Sequence, residues 1–110
     1  MMANEGNGKD DPEARRFRLL RRAEGYESSI AWANYLGWGQ AGVSNFERGF
    51  RRVPRDAALY LLKKVPGFDP VWLWTGDKKN LAFDLRKRIE AIEVIEGIEA
   101  AQRSRSNEVR

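Results

Sequence analysis

The sequence predicts an all-α protein, with a compact domain of five short helices followed by one amphipathic helix. Three observations lead to this fold class. Apolar residues recur every three to four positions along most of the chain, which is the period of a helix. Glycine or proline interrupts this pattern at short intervals, as at helix ends. No segment alternates apolar and polar residues for long enough to form a strand.

The same pattern divides the chain into four parts. Residues 1–12 are polar and acidic, and we expect a disordered N-terminal tail there because they contain nothing to bury. The five-helix domain is expected over 13–77, the amphipathic helix over 78–103, and a frayed tail over 104–110. A core-bearing stretch of about 60 residues is small but can fold by itself.

The first helix is predicted from the spacing of its apolar residues. Phe17, Leu20 and Ala23 follow one another at three-residue steps and form an inner face. Gly25 ends this helix, because glycine adopts the left-handed conformation of a helix end without strain. Ser28 can cap the second helix, since its hydroxyl can accept a hydrogen bond from a free backbone amide.

The second and third helices are separated by a glycine turn. The turn consists of Gly37, Trp38 and Gly39. The third helix is predicted over 40–48, with Val43 and Phe46 facing inward. A short helix, a tight turn and another short helix are typical of a helix-turn-helix unit.

Proline marks the limits of the next two helices. The fourth begins after Pro54 and is broken at Pro66. Asp69 before Pro70 is a strong helix start, so the fifth helix is predicted from Pro70 to Thr75. The apolar residues of the long helix recur at three- and four-residue steps: Leu81, Leu85, Ile89, Ile92, Ile95 and Ile98.

The composition argues against several classes of function. The chain contains neither cysteine nor histidine, so it lacks a thiolate nucleophile, the commonest general base and the commonest metal ligand. No pair of carboxylates stands at a defined spacing either. We therefore expect no enzyme, no catalytic residues, no metal and no cofactor. No apolar run approaches the ~20 residues that span a bilayer, so we expect a cytoplasmic protein without a membrane partner.

The positive charge is concentrated on the predicted domain. The whole chain has a net charge of +4, but residues 15–76 hold eleven bases and five acids, a net charge of +6. A basic folded domain suits a polyanion, and nucleic acid is the usual one. A solvated basic surface is the alternative interpretation.

Four motifs occur in order between residues 17 and 77. They are Phe17-Arg18-Leu19-Leu20-Arg21, Ser28-Ser29-Ile30-Ala31-Trp32-Ala33-Asn34-Tyr35-Leu36-Gly37, Val43-Ser44-Asn45-Phe46-Glu47-Arg48-Gly49 and Trp72-Leu73-Trp74-Thr75-Gly76-Asp77. In these motifs the chain resembles the lambda-repressor-like, Cro-repressor-type family of DNA-binding domains, also called XRE-like. The resemblance implies that the second helix crosses the DNA backbone and that the third lies in the major groove.

The resemblance also implies roles for individual residues. Base readout is implied for Gln40, Ala41, Ser44 and Asn45. Phosphate contact is implied for Ser28, Ser29, Arg51, Arg52 and Arg55. A structural salt bridge is implied between Arg21 and Glu47. The amide of Gln40 matches adenine N6 and N7, whereas Ala41 can only contact a thymine methyl or permit close approach to the DNA.

These features predict a sequence-specific regulator of transcription, a repressor, that binds double-stranded DNA as a homodimer and associates with the nucleoid. The alternative is an antitoxin or another protein-interaction module, whose C-terminal helix binds a partner protein such as a toxin. The apolar stripe of that helix fits a dimer surface as well as it fits packing against its own domain. The sequence leaves this choice open.

Overall fold

Six helices and their connections make up residues 11–108, the part of the chain that the computed structural model describes; side chains are described through 105. The helices are α1 (Pro12–Ala23), α2 (Ser29–Leu36), α3 (Gln40–Glu47), α4 (Arg55–Lys64), α5 (Pro70–Thr75) and α6 (Phe83–Glu108). Residues 11–108 contain no strand. The predicted all-α fold class, with five short helices before a longer one, is therefore confirmed.

Helix α1 begins earlier than the sequence pattern indicates. The Asp11 carboxylate accepts a hydrogen bond from the backbone N–H of Ala14 at 3.0 Å, and Pro12 is the first helical residue. Asp11 and Pro12 therefore belong to the helix start and not to the predicted tail over 1–12. The rest of that predicted tail, residues 1–10, lies outside the described residues.

The ends of the other short helices follow local sequence signals. The Ser28 hydroxyl accepts a hydrogen bond from a backbone N–H of the first turn of α2, at 3.1 Å. Asp69 caps α5 in the same way, at 3.3 Å. Gly37 and Gly76 end α2 and α5 with φ angles of 72° and 87°, in the left-handed region that favours glycine. These predicted helix limits are confirmed.

Aromatic residues fill the core between the helices. Phe17, Trp32 and Trp72 are fully buried, and the rings of Phe17 and Phe46 meet edge to face with centroids 5.7 Å apart. Trp38, in the turn before α3, packs partly against this core. These side chains therefore stabilise the domain.

The first half of α6 packs back onto the domain. Leu85 and Ile89 are 1% and 0% exposed and belong to the same core as α1. The Arg88 guanidinium donates a hydrogen bond to the backbone carbonyl of Ala23, at the end of α1. The sequence left open whether the apolar stripe of this helix forms a dimer surface or packs against its own domain. The first half of α6 packs against its own domain.

The second half of α6 leaves its apolar side in solvent. Val94, Ile95 and Ile98 are 62%, 42% and 53% exposed. An ion pair between Arg22 and Glu96, with nitrogen and oxygen 2.9 Å apart, holds this half beside α1. The predicted stripe therefore splits into a buried part and an exposed part.

The limits of α6 also differ from the prediction over 78–103. Residues 78–82 form a turn in which the backbone N–H of Leu81 donates to the carbonyl of Lys78. The helix then continues to Glu108, where the sequence pattern predicted a frayed tail from residue 104. Each added helical residue contributes a backbone hydrogen bond without needing an apolar partner. No helix among residues 11–108 is both long and apolar enough to cross a membrane.

Candidate nucleic-acid interface

Helix α3 has a buried face and an open face. Val43, Phe46 and Glu47 are buried against the other helices. The side away from them carries the predicted base-reading residues, Gln40, Ala41, Ser44 and Asn45. Gln40 and Ala41 are exposed, and the other two are half-buried. Amide and hydroxyl groups are therefore available on the open face, concentrated on three of its side chains.

The carboxylate of Glu47 fixes α3 to two other helices. One of its oxygens accepts a hydrogen bond from Arg21 Nε at 3.0 Å, and the other accepts from the Ser29 hydroxyl at 2.7 Å. The side chains of Arg21 and Glu47 are 13% and 6% exposed. The predicted salt bridge is present, and through Ser29 it also includes α2.

A second arginine of α1 holds the same end of α3. A guanidinium nitrogen of Arg18 donates a hydrogen bond to the backbone carbonyl of Glu47. Partial burial lowers the pKa of Arg18, and the negative charge of Glu47 opposes that change. Three side chains from α1 and α2 thus converge on Glu47, so the direction of α3 is set by contacts with residues distant in the chain.

The N-terminus of α2 lies beside this cluster. The hydroxyl of Ser28 is occupied as a helix cap, and the hydroxyl proton of Ser29 is donated to Glu47. The Ser29 hydroxyl proton is therefore not available to a phosphate, and the phosphate contact predicted for Ser28 and Ser29 stays a prediction that depends on the backbone amides of this helix start. What remains for an anion are the first backbone N–H groups of α2, which have no partner within the helix.

An arginine-rich loop follows α3. Its predicted phosphate-binding residues, Arg51, Arg52 and Arg55, are all exposed. Arg52 also makes an ionic contact of 3.5 Å with Glu13, whose other oxygen accepts a hydrogen bond from the backbone N–H of Val53. Arg52 therefore helps to position the loop, and with a side chain that is 61% exposed it remains accessible.

Two further side chains of this surface were not among the predicted site residues. Arg48, the C-cap of α3, is exposed, and Phe50 is 61% exposed. The signal for Arg48 was present in the sequence, since Ala41, Ser44 and Arg48 follow one another at steps of three and four. Phe50 gave no such signal, because an apolar residue after a helix is usually part of the core.

An open groove of about 440 Å³ runs between α3 and α4. Trp38, Phe46 and Tyr60 form aromatic parts of its wall, and Gly42 of α3 lines it as well. A Cβ atom added at Gly42 would meet no atom within 4 Å. Packing therefore does not require glycine at this helical position.

We expect Gly42→Ala to raise the free energy of unfolding by about 1 kcal/mol, because alanine loses less backbone entropy in a helix than glycine does. Thermal unfolding should shift upwards by about 4–8 °C. Gly67→Ala is the matched contrast: its φ is +87°, and the new Cβ would lie 2.7 Å from that of Ala82. That variant should be less stable than the wild type. If the unfolding temperatures of both variants shift in the same direction, the backbone conformation and the space around each glycine do not control the change in stability.

Comparisons of the chain with protein-family models, with characterised proteins and with solved structures found no match. What this surface can bind therefore has to be inferred from its own side chains. It combines a helix face with amide and hydroxyl groups, the free amides of a helix N-terminus, and an exposed loop rich in arginine.

Proposed function

We propose that this protein is a transcriptional regulator, a repressor, that binds double-stranded DNA with α3 in the major groove. The observation that carries the proposal is the open face of α3 next to an exposed cationic loop. A helix with its side chains is about 10–12 Å across, which matches a major groove about 12 Å wide. Side chains that donate and accept hydrogen bonds can then reach the edges of the bases.

The pairing of the arginines supports this proposal. Arg48, Arg51 and Arg55 are exposed, and none of them forms an ion pair with a side chain that the structure describes. In contrast, Arg21 and Arg22 of α1 both contact carboxylates. Cations without a carboxylate partner are suited to phosphate groups, whose binding releases counterions and depends steeply on salt.

The contacts of Glu47 also support the proposal, because they hold the open face of α3 in a fixed position for binding to DNA. Its contacts with Arg21 and Ser29 hold α3 against α1 and α2. Because Ser29 begins α2, the same contact places the N-terminus of α2 beside the end of α3. Backbone amides there can contact a phosphate while α3 contacts bases. Both contacts would then form in a single orientation of the protein on the DNA.

Selection of bound fragments from random double-stranded DNA tests the proposal, and two variants separate its parts. We expect Gln40→Ala to relax the preference at one base pair, since a bidentate pair contributes about 1–3 kcal/mol of discrimination. Arg51→Ala should keep the motif, weaken binding to all sequences alike, and reduce the slope of log K against log salt by about one. An unchanged motif in Gln40→Ala would contradict the role of that residue.

A homodimer is part of the proposal, since one small domain makes few contacts and two domains can read two half-sites. The exposed stripe of α6, formed by Val94, Ile95 and Ile98, is the surface that a second copy would cover. We expect Ile98→Glu to convert a dimer to a monomer in sedimentation experiments. Leu62→Glu, at a 47% exposed leucine of α4, is the control and should leave the dimer intact.

The same stripe favours a second candidate function, an antitoxin or another interaction module with a partner protein. In that case the purified chain should be monomeric, and the selected DNA should lack two-fold symmetry. A toxin encoded by a neighbouring gene should copurify with the wild type and be lost with Ile98→Glu. A symmetric DNA motif together with a dimer that forms without a partner would contradict this candidate.

A further inference from the structure

The end of α3 carries an arginine stacked on an exposed aromatic ring. Gly49, with a φ of 76°, turns the chain, and the backbone N–H of Phe50 donates to the carbonyl of Asn45 at 3.0 Å. This turn brings Phe50 back beside the last turn of the helix. The guanidinium carbon of Arg48 lies 4.9 Å from the centre of the Phe50 ring.

Neither side chain belongs to the core cluster or to an ion pair among the described residues. The Phe50 ring is 61% exposed and does not belong to the core cluster. Among the side chains that the structure describes, Arg48 contacts no carboxylate. Stacking on an aromatic face orients a guanidinium without consuming its hydrogen-bond donors in its own plane. Contact with the ring therefore restricts the guanidinium of this exposed arginine and leaves its fork of N–H donors able to bind a ligand.

The position of Arg48 on α3 indicates which group of a ligand its guanidinium would contact. Ala41, Ser44 and Arg48 follow one another at helical spacing and share the open face of α3. Over residues 40–48, Arg48 is the only basic residue, and Ala41 has no side-chain group that can form a hydrogen bond. The long side chain at the end of the face is thus the group best able to read a base that the shorter side chains leave unread.

On the premise that the chain binds DNA as proposed above, we propose that Arg48, held against the ring of Phe50, reads a guanine in the major groove. A guanidinium donates two parallel hydrogen bonds, which match the O6 and N7 acceptors of guanine. A ring that restricts the guanidinium lowers the entropy lost on binding, so it favours a bidentate contact. A phosphate would accept the same charge but carries no information about the sequence.

Selection from random double-stranded DNA tests the assignment, with the wild type and four variants. The wild type should select a guanine at one position of each half-site. Arg48→Ala should reduce that preference by about tenfold or more at this position alone. Arg48→Lys keeps the charge but not the fork, so it should lose most of the same preference. Phe50→Ala should reduce it by a smaller factor, because the guanidinium remains but is no longer oriented.

Arg55→Ala is the matched control, since Arg55 is exposed and has no ion pair with a described side chain. It should weaken binding without changing the motif. If Arg48→Ala behaves like this control, the assignment is overturned and Arg48 contacts phosphate only. A motif that contains no guanine overturns the assignment as well. An unchanged preference in Phe50→Ala overturns the role of the ring. If the folded wild type selects no DNA at all, the proposed function itself fails.

Discussion

Ile89→Ala should lower the free energy of unfolding by about 2–5 kcal/mol, the usual cost of removing most of a large apolar side chain from a packed core. Ile89 is 0% exposed and lies in the core together with Leu85 and the apolar residues of α1. Alanine would leave a cavity at the junction of α1 and α6. Denaturation with urea, followed by circular dichroism, measures the change.

Ile98→Ala is the control for this prediction, because it makes the same chemical change nine residues further along the same helix. Ile98 is 53% exposed, so its truncation should alter stability by no more than about 0.5 kcal/mol. The measurement needs a protein concentration low enough to keep the chain monomeric. Equal losses in the two variants would mean that both halves of α6 pack alike, contrary to the contacts described above.

Glu47→Ala should lower the free energy of unfolding by about 3 kcal/mol, since it removes one partner of a largely buried ion pair. Arg21 would keep its charge at a site where its side chain is 13% exposed, and the Ser29 hydroxyl would lose its acceptor. Water reaching the site would reduce the penalty, and the hydrogen bond from Arg21 to the carbonyl of Tyr26 would remain. The shift of the urea denaturation midpoint measures this loss, provided that the m-value is unchanged.

Glu93→Ala provides the comparison for Glu47→Ala. Glu93 pairs with Lys78 at 2.8 Å, a shorter distance than that between Arg21 and Glu47, but both side chains are 29% exposed. Water screens this half-buried pair, and Lys78 keeps a second carboxylate, Glu90, at 3.6 Å, so this variant should lose less than about 1 kcal/mol. If Glu47→Ala costs no more than Glu93→Ala, then Glu47 does not fix α3 as the geometry indicates.

The limits of the short helices could be predicted from the sequence because the signals that set them are local. A capping side chain such as Ser28 or Asp69 acts on an amide two or three residues away, and a glycine such as Gly76 needs no distant partner to adopt a positive φ. The open face of α3 followed from the helical period in the same way. The length of α6 was harder to predict, since a polar helix can continue without an apolar pattern.

The partners of individual side chains were decided by the tertiary structure. Periodicity places Ile89 and Ile98 on apolar stripes but does not say that only the first is covered by α1. Ser29 and Glu47 are 18 positions apart, and Glu13 and Val53 are 40 apart, so nothing local in the chain predicts that their polar groups meet. The contact of Arg48 with Phe50 is an exception, because it depends on the local turn at Gly49.

The amino-acid sequence by itself therefore determined the limits of the short helices α2 to α5, the apolar face of each helix, and where positive charge accumulates. Those properties depend on neighbours within about one helical turn. The packed fold decided which arginines pair with carboxylates, that the Ser29 hydroxyl binds Glu47, and which half of α6 stays exposed to solvent. Such contacts join residues that only the folding of the whole chain brings together, so they depend on the arrangement of all the helices at once.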